Sequence, residues 1–166
     1  FVGGLLTLMP EWLAMTSHTV NAYKRLVPGA WAPIYAAWGI QNRTAAVRAI
    51  TGADKATRVE YRVPSADTNP FLSLTMCLAA GLNGIEQRIE PPAPRQDDCY
   101  ATEPDAAARF PRTLLEAAER FAASPAARQT FGEAFVEHFA LSRRMEDLAY
   151  RRAVTEWEVR RYLEVV

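Results

Sequence analysis

The segment Arg58-Val-Glu-Tyr-Arg62 alternates charged and apolar residues one by one. On a strand, that period places Arg58, Glu60 and Arg62 on one face and Val59 and Tyr61 on the other. A carboxylate between two guanidiniums fits two arrangements. One is a solvated ladder of cross-charged pairs, which stabilises little. The other is a site in which Glu60 holds a cation and the arginines hold anionic groups. Arg25, Arg43 and Arg48 stand in neighbouring short segments, beside turn residues or inside apolar runs. Arg48 lies in Ala45-Ala-Val-Arg-Ala-Ile50, where a guanidinium without an anion would be costly. The few acids nearby do not obviously supply one for every arginine, whereas an external polyphosphate would, each charge-assisted contact contributing about 1.5–3 kcal/mol. The chemistry implied is phosphoryl transfer, in which positioning and charge neutralisation by Arg and Mg²⁺ carry most of the catalysis.

The elements that must position these residues follow from pattern and turn chemistry. Leu5, Leu6, Met9 and Leu13 recur at helical spacing up to the polar cluster Thr16-Ser-His-Thr19. Between residues 21 and 64, short β-rich runs (33–38, 45–50, 58–63) are separated by Pro28-Gly29, Gly39 and Gly52. The gaps are too short for helical crossovers, which predicts antiparallel pairing. Asn69-Pro70 opens a helix, with Asn as N-cap and Pro at the first helical position. Its run Phe71 to Ala80 is apolar nearly all round, which predicts burial. Pro91-Pro-Ala-Pro94 and Asp97-Asp98 read as a loop. The remainder is helical: Thr113-x-x-Glu116 and Thr155-x-x-Glu158 are capping boxes, the second with Val154 and Val159 as its staple, and Ser124-Pro125 starts another helix. The expectation is a single α+β unit over 1–166: helix and loop over 1–20, a strand-rich active-site segment over 21–64, and a mainly helical part over 70–166.

Composition narrows the function classes. In 166 residues, 19 acids balance 19 bases, which argues against bulk attraction to nucleic acid or an anionic membrane. Every base except Lys24 and Lys55 is Arg, the residue suited to bidentate binding of carboxylate and phosphate. The longest apolar stretch, Phe71 to Ala80, is too short to span a bilayer, and no signal peptide is visible. Cys77 reads as a buried free thiol and Cys99 as a loop residue; two thiols without a framework fit a reducing cytoplasm. The opening Phe1-Val-Gly-Gly-Leu-Leu lacks an initiator Met and begins inside an apolar segment, which reads as a piece of something longer.

Asn21-Ala-Tyr-Lys-Arg-Leu, Asn42-Arg-Thr-Ala-Ala-Val-Arg48, Arg58-Val-Glu-Tyr-Arg62 and Asn69-Pro-Phe-Leu occur in order and nearly in register. Together they resemble the C-terminal motifs of the glutamine synthetase family. The similarity continues through Ala80-Gly-Leu-Asn-Gly-Ile-Glu and covers the whole chain. The resemblance implies the C-terminal part of that family's catalytic domain: short strands followed by a helical half. It implies ATP and Mg²⁺ or Mn²⁺ as cofactors, small-molecule substrates, a cytoplasmic location, and a homo-oligomer, a double hexameric ring at full length. It also assigns roles by position. Arg25, Arg43 and Arg62 match glutamate-binding positions, with Arg43 and Arg62 placed at the catalytic centre. Arg43, Arg48, Lys55 and Arg58 match ATP-binding positions, and Glu60 matches a metal ligand.

One position departs. Ammonia-using members carry a Glu in a PGxEAP-like stretch, where this chain has Pro28-Gly-Ala-Trp31-Ala-Pro33. Either Trp31 is a drifted loop residue, or it marks a different nucleophile, because an aromatic wall favours an alkylamine over ammonium. The variant resembles the branch that ligates glutamate to methylamine or related amines, the γ-glutamylmethylamide synthetases. The alternatives are an ammonia-using glutamine synthetase and a non-catalytic relative acting as an assembly or binding protein. With one metal ligand and half a site, the 166-residue chain is expected to be inactive alone. His18, His138, Asp97-Asp98 and the arginines at 143, 144, 151 and 152 read as surface, loop or cap residues.

Overall fold

The structure, a computed structural model, describes residues 1–165. Helix α1 (Val2–Trp12) runs into a 3₁₀ turn, Leu13–Met15, and is followed by the short α2 (Val20–Arg25). Three short strands come next, β1 (Trp38–Ile40), β2 (Val47–Ile50) and β3 (Arg58–Tyr61). Then α3 (Pro70–Glu86), α4 (Leu114–Ala123), α5 (Pro125–Phe131), α6 (Glu133–Arg152) and α7 (Glu156–Tyr162) complete the α+β arrangement.

Local chemistry explains most of the boundaries. Asn69 accepts from the backbone N–H groups of Phe71 and Leu72 with Pro70 at the first helical position, so α3 starts where the sequence predicts. Thr113, Ser124 and Thr155 cap α4, α5 and α7 in the same way, and Thr155 with Glu158 forms a full reciprocal box. At α4 the box is displaced: Glu116 receives the backbone N–H of Arg112, one residue before the cap. The predicted staple is not packed, since Val154 and Val159 are both exposed.

The core is where α1, α3, α4 and α6 meet. Trp12, Phe121, Phe131, Phe135 and Phe139 pack edge-on, tilted or stacked, with centroids 4.9–6.4 Å apart. The Trp12 indole N–H donates to Ser124 Oγ at 3.1 Å. Val47, Val63 and Tyr61 carry the sheet onto this core. Helices α1 and α3 touch through backbone: a Cβ built at Gly4 would meet the Ala80 carbonyl and lie 2.6 Å from Gly84 Cα. Only glycine fits there.

Three expectations need correcting in detail. Strands β2 and β3 pair antiparallel as predicted, but β1 and β2 pair parallel, Trp38 opposite Val47 and Ile40 opposite Ala49. A parallel return over a three-residue strand spans only about 10 Å, which the residues between Ile40 and Val47 cover without a helix; Gln41, at φ 56°, makes the turn. Helix α3 is not buried all round. Phe71, Leu74, Leu78, Leu82 and Ile85 form one helical stripe that is 53–80% exposed, while Ser73, Met76, Ala80, Gly81 and Gly84 face inward. The cysteines exchange roles: Cys99 is the buried thiol and Cys77 is half-buried, because the loop around Cys99 folds onto the Asn42–Thr44 turn. No helix among the described residues is long and apolar enough to cross a membrane.

Candidate functional site

Register brings the charged residues together. Arg48 on β2 stands opposite Glu60 on β3, and its guanidinium donates to Glu60 Oε2 at 2.9 Å and to Gln41 at 2.7 Å. Arg62, two residues along from Glu60, donates to Glu60 Oε1, also at 2.9 Å. The cation that sequence reasoning left seeking an external anion therefore has an internal carboxylate, shared by two arginines. Both guanidiniums are largely covered, at 17% and 16% side-chain exposure, whereas Glu60 is 39% exposed. The Nε–H groups of Arg48 and Arg62 are buried without an acceptor. Arg48 and then Arg62 hold the Glu60 carboxyl below its ordinary range.

Arg25, near the end of α2, extends the cluster. It donates to the backbone carbonyls of Arg62 at 2.9 Å and Val63 at 3.0 Å. Burial first, and then the charge of Arg62, lower its pKa. Arg48 and Arg62 share one carboxylate and Arg25 sits on the backbone of Arg62, so three positive charges and one negative charge lie along this face, an excess of two. That arrangement attracts anions.

Arg62 also reaches the loop between α2 and β1, donating to the Trp31 carbonyl at 3.1 Å. Trp31 has φ 54° and its side chain is 68% exposed. Arg43 projects from the turn before β2 and is exposed. That turn is held by Asn42, whose Oδ1 accepts from the Thr44 N–H and hydroxyl and whose amide donates to the Arg95 and Asp97 carbonyls. Arg58 and Lys55 are exposed at the β2–β3 hairpin, with Arg58 donating to its own neighbour Ala56. The structure thus gathers Arg25, Trp31, Arg48, Glu60 and Arg62 by direct contact, and leaves Arg43, Lys55 and Arg58 on exposed turns and strand ends around them.

For a cation, the residues do not suffice. Among the described residues no group of three His, Cys, Asp or Glu could hold a metal, and both Glu60 oxygens are engaged by guanidiniums. A lone carboxylate supplies only part of the near-octahedral oxygen coordination that Mg²⁺ wants, so the described residues do not complete a cation site by themselves.

Sequence reasoning missed a flanking segment, Arg95–Thr102, which it treated as plain loop. Arg95 pairs with Asp97, Asp98 caps the 3₁₀ turn Cys99–Ala101, and the Tyr100 hydroxyl donates to the Ala32 carbonyl at 2.8 Å. The Pro-Arg-x-Asp-Asp run was the available signal, since such residues make Asx turns. Beside the Trp31 loop lies a cavity of about 720 Å³ lined by Val27, Pro28, Ile34, Tyr100, Arg109 and Arg112 among others; Arg48, Glu60 and Arg62 do not line it.

The family model described as glutamine synthetase, catalytic domain, matches residues 1–162. A type-1 glutamine synthetase of Dictyostelium discoideum is 42% identical over 170 residues, covering 100% of this chain and 32% of the relative. A γ-glutamylethanolamide synthetase of Streptomyces coelicolor is 41% identical over 164 residues, covering 99% and 35%. The solved structure of ligand-free GmaS superposes with a TM-score of 0.81 at 35% identity, over 98% of this chain and 37% of that one; GmaS is also solved as an ADP complex. The chain therefore spans about a third of the length of the relatives it matches.

Proposed function

The chain belongs to the glutamine synthetase family, within its catalytic domain, and on that premise we propose that it forms part of an ATP-dependent ligase. The enzyme joins an amine, methylamine or another small alkylamine, to the γ-carboxylate of L-glutamate. The observation that carries this reading is the Arg48–Glu60–Arg62 cluster, two guanidiniums on one carboxylate, with a third, Arg25, held on the backbone of Arg62. A γ-carboxylate oxygen of glutamate attacks the terminal phosphorus of ATP, and ADP leaves. The amine nitrogen then attacks the acyl carbon of γ-glutamyl phosphate and gives up one proton, and phosphate leaves with the oxygen through which it was bound, so that amide and hydrogen phosphate are the products. Both steps concentrate negative charge on phosphoryl oxygens, which fixed guanidiniums stabilise without reorganising. Arg25 and Arg62 are assigned to glutamate, Arg43 to glutamate and phosphate, and Arg48, Lys55 and Arg58 to the nucleotide. A Mg²⁺ or Mn²⁺ ion on this face would need oxygen ligands from outside these residues in addition to Glu60.

The amine is assigned from Trp31, an exposed aromatic beside Arg62 where an acid would serve ammonium. Relatives named as a γ-glutamylethanolamide synthetase and a glutamate–isopropylamine ligase support this. The 42% identity to a glutamine synthetase supports ammonia as the second reading.

The 166 residues work as part of a larger catalytic unit and are inactive alone. Supporting this, the chain spans 32–38% of its relatives' length, one carboxylate cannot make the metal site, and the exposed stripe of α3 is a surface of the kind that packing against the rest of such a fold would cover. The assembled enzyme is proposed to be a cytoplasmic homo-oligomer. The test is phosphate release by the full-length enzyme with ATP, glutamate and a panel of amines. Release that depends on glutamate and is fastest with an alkylamine supports the proposal. Preference for ammonia over every alkylamine moves it to the second reading, and no amine-dependent release removes both.

A further inference from the structure

The loop carrying Trp31 has an exposed tip, residues 27–31, next to the buried Ala32 and Pro33, and two side chains from outside bind its carbonyls where the exposed part meets the buried part. It contains two residues of positive φ, Gly29 at 81° and Trp31 at 54°, and Val27, Pro28, Gly29, Ala30 and Trp31 are all exposed. The cavity of about 720 Å³ lies against one side of it. Its backbone contacts include an internal turn, Ala30 N–H to the Val27 carbonyl at 3.3 Å. Two adjacent carbonyls are gripped from outside the loop: Trp31 by Arg62 at 3.1 Å and Ala32 by the Tyr100 hydroxyl at 2.8 Å. Arg62 belongs to the charged cluster. Tyr100 does not, and nothing in the proposed chemistry uses it.

The segment that presents Tyr100 is built to be rigid. The Arg95 N–H donates to the Trp38 carbonyl at 2.8 Å, and its guanidinium binds Asp97 and Thr102. Asn42 donates to the Arg95 and Asp97 carbonyls, and the Cys99 N–H donates to Thr44 Oγ1 at 3.0 Å. Cys99 is 1% exposed, and Asp98 accepts the Tyr100 N–H at 2.9 Å. One strap therefore fastens to the turn bearing Arg43 at one end and reaches the Trp31 loop at the other. Burial, and then Asp98, raise the Tyr100 pKa, so at neutral pH the hydroxyl keeps the proton it donates.

We propose that Tyr100 is a positioning residue: its hydroxyl latches the Ala32 carbonyl and so holds Trp31 at the amine side of the site. Through the Asn42–Thr44 anchor it also ties that loop to the Arg43 turn. This rests on the reading of Trp31 as an amine-site residue. Losing one neutral hydrogen bond, about 1 kcal/mol, corresponds to a factor of about five in the population of the released loop.

The experiment compares Tyr100→Phe, which keeps the ring and removes the donor, with the unsubstituted full-length enzyme. Two quantities are read. The first is the rate of native-state chymotryptic cleavage between Trp31 and Ala32, followed by mass spectrometry. The second is KM for methylamine against kcat and against KM for glutamate and ATP. The expected result is cleavage faster by about fivefold and methylamine KM raised several-fold, with kcat and the other KM values within about twofold. Unchanged cleavage would show that the hydroxyl does not hold the loop. Faster cleavage with an unchanged methylamine KM would show that the latch does not position the amine site. Either result overturns the proposal. Absence of turnover in the unsubstituted enzyme would instead remove the functional reading beneath it, and the cleavage ratio would still decide whether the latch exists.

Discussion

Arg48 and Glu60 face each other across the antiparallel β2–β3 ladder and bond at 2.9 Å, while the other oxygen of the same carboxylate is taken by Arg62. Glu60 thus keeps two mostly covered guanidiniums side by side. Glu60→Gln removes the shared charge and leaves them facing a neutral amide that offers one acceptor. Because the carboxylate is more than one-third exposed, solvent screens much of the pairing, and the expected loss is about 1 kcal/mol of unfolding free energy. Urea denaturation of the two proteins measures it.

The same pair predicts a pH dependence. The folded-state pKa of Glu60 is lowered, chiefly by Arg48, so its contribution is present above the unfolded value of about 4.3 and is lost as pH falls through the folded value. The stability difference between wild type and Glu60→Gln should therefore be full at pH 7 and shrink below about pH 4. Melting curves at pH 7 and pH 3 check the sign; a larger difference at pH 3 would contradict it.

Trp31→Glu restores a carboxylate where the side chain is exposed, so stability should stay within about 0.5 kcal/mol. The ratio of kcat/KM for ammonia to that for methylamine should rise at least about tenfold, equivalent to about 1.4 kcal/mol of transition-state preference. An unchanged ratio would mean that Trp31 is only a loop residue.

Gly84→Ala tests the backbone contact between α1 and α3. A Cβ there would collide with Gly4, at 2.6 Å from its Cα and closer still to its N. Both neighbours are backbone and cannot swing away, so a loss of about 3 kcal/mol or more is expected. A wild-type melting temperature would refute the close packing.

The α3 stripe predicts the behaviour of the 166-residue chain by itself. With Phe71, Leu74, Leu78, Leu82 and Ile85 exposed together, it should bind an apolar dye and self-associate. Leu74→Lys with Leu78→Lys should reduce both in sedimentation and fluorescence measurements, yet impair the full-length enzyme. Improved behaviour in both contexts would mean that the stripe has no partner in the larger unit.

What the sequence could reveal follows from which interactions are local. Caps at Asn69, Thr113, Ser124 and Thr155 were legible because a side chain and the N–H groups it binds lie within three residues. The alternation of Arg58, Glu60 and Arg62 was legible for the same reason. The pairing of Arg48 with Glu60 was not, because it depends on a register between strands, and neither was the parallel return of β1. The exposed face of α3 was misjudged because an apolar helix announces that it needs covering, without saying by what. Tyr100 escaped notice because its partner, Ala32, contributes only a carbonyl, which no side-chain pattern marks.

The central claim, activation of glutamate through an acyl phosphate on this arginine face, is tested most directly by isotope transfer. Glutamate labelled with ¹⁸O in both γ-carboxylate oxygens is turned over with ATP and methylamine by the full-length enzyme, and the products are analysed by mass spectrometry. The account predicts one ¹⁸O in each phosphate released and one retained in each amide. Phosphate released without label, at a rate matching amide formation, would contradict it.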